Sequence, residues 1–131
     1  MATRSSITVK RKDGKFVSVY CHWDGYLSHN GAILQEHYAT YEKALALVSL
    51  GNISSLAASI ECPEGHSFET PVKGYTNYYT RDRGENSPAL VVSDMIFVRH
   101  ENWQEYNYLY ENGQWHLHCK DGSNVALKET A

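Results

Sequence analysis

Apolar and polar positions alternate at the start of the chain. Residues 6–11 carry Ile7 and Val9 on one side, the period of a half-buried strand. Asp13-Gly14 is a two-residue turn signal, because its positive φ angles suit the twist of the strands it would join. Residues 16–21 return apolar on both sides, which predicts a central strand. The period then changes. Ile33, Leu34, His37, Tyr38, Tyr41, Ala44, Leu45 and Val48 recur three and four residues apart, one stripe of a helix. Asn30 is the expected N-cap, and Thr40 would cap a second segment and split the stripe into two helices. Gly51 supplies a left-handed stop after Leu50. Residues 54–60 read as one more short helix, closed by Pro63 and Gly65.

In the second half, residues 74–80 read as a tyrosine-rich strand and 81–85, Arg-Asp-Arg-Gly-Glu, as a charged loop. Residues 89–98 fit either a strand or a helix around Asp94. The clearest signal is Asn112-Gly113 between two alternating runs. A two-residue turn there pairs Glu111 with Gln114 and sets Tyr106, Tyr108, Tyr110, Trp115 and Leu117 on a core-facing side. Asn107, Glu111, Gln114, His116 and His118 fall on the other side, which is expected to be polar. Asp121-Gly122 turns into a short last strand, 124–127. Hairpin, helices, then more strands predicts one α+β domain over residues 1–131. Its sheet is expected to be mainly antiparallel, with two or three helices packed on one face.

Composition narrows the setting. Apolar content of 42% and charged content of 21% are ordinary for a globular chain. No apolar run approaches a membrane span and the start lacks a signal-peptide core, so a cytoplasmic protein without membrane contact is expected. The net charge of −3 gives no general attraction to phosphate backbones; nucleic acid is not the expected partner unless a local basic patch exists. Cys21, Cys62 and Cys119 are scattered, which predicts free thiols instead of disulfides or a zinc knuckle. Ten tyrosines suggest flat surfaces that both pack and hydrogen-bond.

Candidate chemistry concentrates in Tyr20-Cys21-His22-Trp23-Asp24-Gly25-Tyr26, running on to His29-Asn30-Gly31. So many special-purpose side chains at a strand exit either line a site or pin a loop. Asp24 with His22 or His29 would make the carboxylate–imidazole pair that orients a general base. Cys21 is a candidate nucleophile without the helix-terminus setting that activates a thiol. Asp24-Gly25 would equally serve as a turn with Trp23 packed beneath it. His116 and His118 share one side of a strand, but zinc would need a third ligand from His22, His29 or His100. The plainer reading is a solvated pair, and neither metal nor cofactor is expected. Arg81 and Arg83, flanking Asp82, make either a forked anion clamp or a solvated loop paired to Asp82 and Glu85. The chain has no Walker loop, dinucleotide fingerprint or nucleophile elbow.

Thr3-Arg4-Ser5, the Cys-His-Trp-Asp-Gly-Tyr motif with its continuation Leu27-Ser28-His29-Asn30-Gly31, residues 34–38, Ser54-Ser55-Leu56 and residues 81–85 together resemble a family of small proteins encoded by tailed bacteriophages and prophages. The likeness runs nearly end to end. Similar sequences often carry proline after the motif tyrosine, where this chain has Leu27. The resemblance implies a phage accessory protein acting in the bacterial cytoplasm and transfers no catalytic role. Two functions stay open. One is a binder of a host component, a protein partner or a nucleotide-like anionic signal, that counteracts a host defence. The other is a small hydrolase of a phosphate ester or nucleotide. The expected site is Arg4, His22, Trp23, Asp24, Tyr26 and His29 with Arg81, Asp82, Arg83 and Glu85. The two loops are expected on the same side of the molecule.

Overall fold

A computed structural model describes residues 2–127 and shows an α+β fold on one mixed, eight-stranded sheet. Strands β1 (Ser5–Lys10) and β2 (Phe16–Cys21) pair antiparallel, Ile7 opposite Val19 and Val9 opposite Val17. Their tip is not the expected two-residue turn. Arg11 N still donates to Lys15 O at 2.7 Å, so Lys12, Asp13 and Gly14 make the turn, with Gly14 left-handed at φ 86°. Asp13 instead accepts Lys15 N on its carboxylate.

β2 is central, as its two-sided apolar sequence predicts. β1 holds one of its edges; β3 (Ile53–Ser55, parallel) and β5 (Leu90–Val92, antiparallel) share the other. β4 (Asn77–Tyr78) extends β3. Beyond β1 come β6 (Tyr106–Glu111), β7 (Gln114–His118) and β8 (Asn124–Ala126). The β1–β6 and β2–β3 pairs run parallel and the other five pairs antiparallel, so the sheet is mixed where a mainly antiparallel one is expected. Long connections leave strand direction unconstrained by a hairpin, so sequence pattern alone does not fix it. The hairpin at Asn112-Gly113 has the expected register, Tyr110 opposite Trp115, and both turn residues have positive φ.

Helices α1 (Ala32–His37) and α2 (Tyr41–Ser49) cover one face, where Leu34, Leu47 and Val48 meet Ile7, Val9, Val19 and Trp115. Thr40 is the cap foreseen, its hydroxyl accepting Lys43 N at 3.3 Å. Asn30 is not a cap. A π-helical turn, Leu27–Gly31, precedes α1 and buries it. Four of the ten tyrosines are pegs in this core and not surface residues. Tyr38, Tyr78, Tyr108 and Tyr110 donate to the carbonyls of Ala57, Leu47, Gly25 and Ala39. Each buried ring thus keeps its polar tip satisfied while tying a loop or helix end to the sheet.

Residues 54–60 are not a helix: they enter β3 and then an irregular segment held by Thr76, whose hydroxyl bonds both Ala57 N and Ala57 O. The tyrosine-rich run is strand only at Asn77–Tyr78. Tyr79 opens α3 (Tyr79–Arg83), so the expected charged loop is largely helical, with Gly84 as its left-handed end. Residues 89–98 are both alternatives in turn, β5 and then α4 (Met95–Glu101), capped by Asp94 on Ile96 N. α4 packs Met95 and Val98 onto Phe16 and Leu109 across the sheet from α2, so helices lie on both faces and not on one. That placement also buries Asn107 and His118 on the hairpin side expected to be polar.

Candidate functional site

The strand that ends in the motif alternates its side chains, so Cys21 points into the main core while Tyr20 and His22 project from the opposite face. The Tyr20 hydroxyl bonds His22 Nδ1 at 2.5 Å. Burial pushes the Tyr20 phenol above its ordinary value, and the nearby Arg4 guanidinium pulls it partly back. This bond engages Nδ1, so Nε2 is the His22 nitrogen left outside it. The Trp23 ring meets His22 edge-on at 4.7 Å and stays 44% exposed. Arg4 immediately precedes the Ser5–Cys21 pair and is exposed beside this group.

The same face continues across β3 to α3. Burial raises the Tyr79 phenol, offset in part by the nearby Ser54 hydroxyl, and the Tyr79 hydroxyl acts electrostatically on Tyr20. Phe68 lies against Tyr79 with ring centres 5.4 Å apart, and the Arg83 guanidinium sits 4.8 Å over Phe68. A strip therefore runs from Arg4 through Tyr20, His22 and Trp23 to Tyr79, Phe68 and Arg83. Neither Tyr20, Tyr79 nor Phe68 belonged to the expected site. Tyr20 was within reach of sequence reasoning, since it stands two residues before His22 on one strand. Phe68, in an irregular segment, carried no such signal.

The other expected residues have different duties. Arg81 and Arg83 are two apart on a helix, about 200° around its axis, and so point apart where a loop would have forked them together. Arg81 faces inward: Nε and Nη2 bond Asp82 at 2.9 and 3.0 Å, Nη2 also bonds Thr76 O, and Nη1 bonds Ile60 O. The Asp82 side chain is 1% exposed and additionally accepts Tyr78 N at 2.7 Å. His66 Nδ1 accepts Val72 N, which leaves Nε2–H toward Asp82 at 3.4 Å. Burial opposes ionisation of Asp82, but Arg81 and the Tyr78 N–H outweigh it and hold its carboxyl below the usual range. This cluster is a fold-holding hub and not the anion clamp. Glu85 pairs with Arg83 Nε at 2.9 Å, a half-exposed contact worth little.

After Trp23 the chain dives beneath β1. Asp24 is left-handed (φ 56°), which aspartate tolerates, and Gly25 N bonds Thr3 O at 2.8 Å. A Cβ on Gly25 would lie 2.8 Å from Ser5 Cβ and 3.0 Å from the Arg4 and Thr3 backbone, so glycine is required. The buried Asn30 amide donates to Trp23 O, Ser5 Oγ and Cys21 Sγ, and its Oδ1 takes His29 Nδ1 at 2.9 Å. Asp24 receives the Tyr26 hydroxyl at 3.4 Å, so it orients neither His22 nor His29 and the expected carboxylate–imidazole pair is absent. Tyr26, 38% exposed, stacks edge-on with His29. Cys21 is fully buried, and burial pushes its thiol up to about 11, which removes it as a nucleophile near neutrality.

His116 and His118 do share a side, but both His118 nitrogens are engaged, Nε2 by Arg99 and Nδ1 by Asn124. Among the described residues no three His, Cys, Asp or Glu side chains converge as a metal site. No helix among them is long and apolar enough to cross a membrane. Four surface grooves of about 340 to 620 Å³ take their walls from residues other than Trp23 and Arg83. No family model, no curated protein and no solved structure matches this chain.

Proposed function

We propose that the chain is a binding protein whose recognition surface is this strip, and that its ligand is an anion carrying a flat ring, a nucleotide-like signal. The observation that carries the reading is the arrangement itself: cations Arg4 and Arg83 at the two ends, with exposed Trp23 and the His22 ring between them. Rings stack on aromatic faces, and guanidinium groups take phosphate oxygens bidentately. In the phage setting suggested by the motif, sequestering such a signal in the bacterial cytoplasm would blunt a host response. The hydrolase reading has less support, because Asp24 turns away from both imidazoles and Arg81 is spent on Asp82.

The test is a tryptophan-fluorescence titration of the full chain with adenosine triphosphate, a cyclic dinucleotide and inorganic phosphate. The expected result is saturable quenching by a nucleotide, weak response to phosphate, loss of both in Trp23→Ala, and no turnover of the bound nucleotide. Equal response of wild type and Trp23→Ala would refute the reading, and steady release of phosphate would favour the hydrolase.

A further inference from the structure

We propose a second interaction site: the outer edge of β5 accepts an extended, acidic segment of a protein partner as an added strand. β5 pairs with β2 alone, and among the described residues the backbone of 89–93 makes no hydrogen bond outside that pairing. An edge with unmet N–H and C=O groups is a template for another strand unless something blunts it. Here the middle residue is Val91, 50% exposed and on the α2 side, opposite Val17.

Beside that edge lies an open groove of about 620 Å³, walled by Val17, Val91, Tyr41 and Leu45. A strand added along β5 would drop alternate side chains into it, and the backbone ladder would supply affinity while the groove selects small apolar residues. The far rim is the β1–β2 tip. Lys10, Arg11, Lys12 and Lys15 belong to that tip with Asp13 as its one carboxylate, four of the chain's twelve Lys and Arg residues in a molecule of net charge −3; Arg11 and Lys12 line the groove, while Lys10 lies over Phe16 on the other face. Arg11 is held by Asp13, and Lys12 lies 5.2 Å over the Tyr41 ring, so both cations are positioned at the groove. β5 ends at this tip, because Val92 pairs with Phe16.

The charge decides the occupant. A second copy pairing β5 to β5 would offer three strand residues and bring its residues 85–89, with Glu85 as their one carboxylate, to the basic tip. An acidic peptide would match that tip along its length and be steered to it. This is the local basic patch that the overall charge conceals.

The experiment selects a random dodecapeptide library on the immobilised full chain and measures winners by fluorescence anisotropy and amide exchange. Expected winners are rich in Asp and Glu alternating with small apolar residues. Their affinity should fall at least tenfold with Lys12→Glu/Lys15→Glu, stay unchanged with Trp23→Ala, and binding should slow exchange at residues 90–92. Four results would overturn the proposal. They are no enrichment, winners without acidic bias, winners that leave residues 90–92 unprotected, and a concentration-dependent dimer abolished by Val91→Lys. Single-stranded oligonucleotides that displace the winners and bind with the same charge dependence would reassign the tip to phosphate polymers.

Discussion

The loop that follows β2 and the helix α3 divide the same two jobs between neighbouring side chains, by different backbone means. In the loop, a left-handed Asp24 and a glycine jammed against β1 turn the chain under the sheet, while Trp23 is left outside. In α3, helical rotation sends Arg81 in and Arg83 out. Each segment gives most of its specialised groups to holding irregular backbone, because peptide groups outside helix or ladder need side-chain partners. What remains outward is one aromatic and one cation. A dense motif thus marks where backbone must be held, and under the proposed function recognition would fall to the residues left over.

Substitutions break this division in a graded way. Asp82→Ala should cost most, about 3–5 kcal/mol in a denaturant melt, since it strands Arg81 and the Tyr78 N–H together. Asp82→Asn gives the pH signature. The Asp82 carboxyl titrates lower folded than unfolded, so the unfolded chain binds the proton first as pH falls. Its stabilisation is therefore full above the ordinary aspartate value of about 4 and lost as pH drops through the folded value. Wild type should lose stability more steeply than Asp82→Asn below about pH 4; parallel curves would mean that the hub carries no charge-dependent energy. Gly25→Ala should cost about 1–3 kcal/mol, because the new methyl meets backbone that cannot rotate away. Trp23→Ala should shift stability by under about 1 kcal/mol, its ring being half-exposed, while abolishing ligand binding. A Trp23→Ala chain that unfolds would erase the distinction between holding and recognising.

Much of the scaffold was legible in the chain. The two hairpins, the split helix with Thr40 at its joint and the left-handed Gly51 follow from local periodicity and turn chemistry. What escaped depends on distant contacts. β3 is a strand because β2 offers an edge, not because Ile53-Ser54-Ser55 demands one. α4 crosses to the other face through Met95 and Val98, which a weak apolar run could not announce. Of the expected site, Arg4, His22, Trp23 and Arg83 come together. Asp24, Tyr26 and His29 went to the pinned loop, and Arg81 and Asp82 to the hub, because neighbours in sequence need not be neighbours on a face. Tyr20, Tyr79 and Phe68 joined the strip through tertiary packing.

The most direct measurement compares Arg81→Ala with Arg83→Ala, two arginines one residue apart, by melting temperature and nucleotide titration on the same samples. The account predicts that Arg81→Ala melts well below wild type yet binds normally while folded. Arg83→Ala should melt with wild type and lose binding at least tenfold, about 1.4 kcal/mol. Binding lost in Arg81→Ala and kept in Arg83→Ala would contradict it, and would return the site to the inward cluster around Asp82.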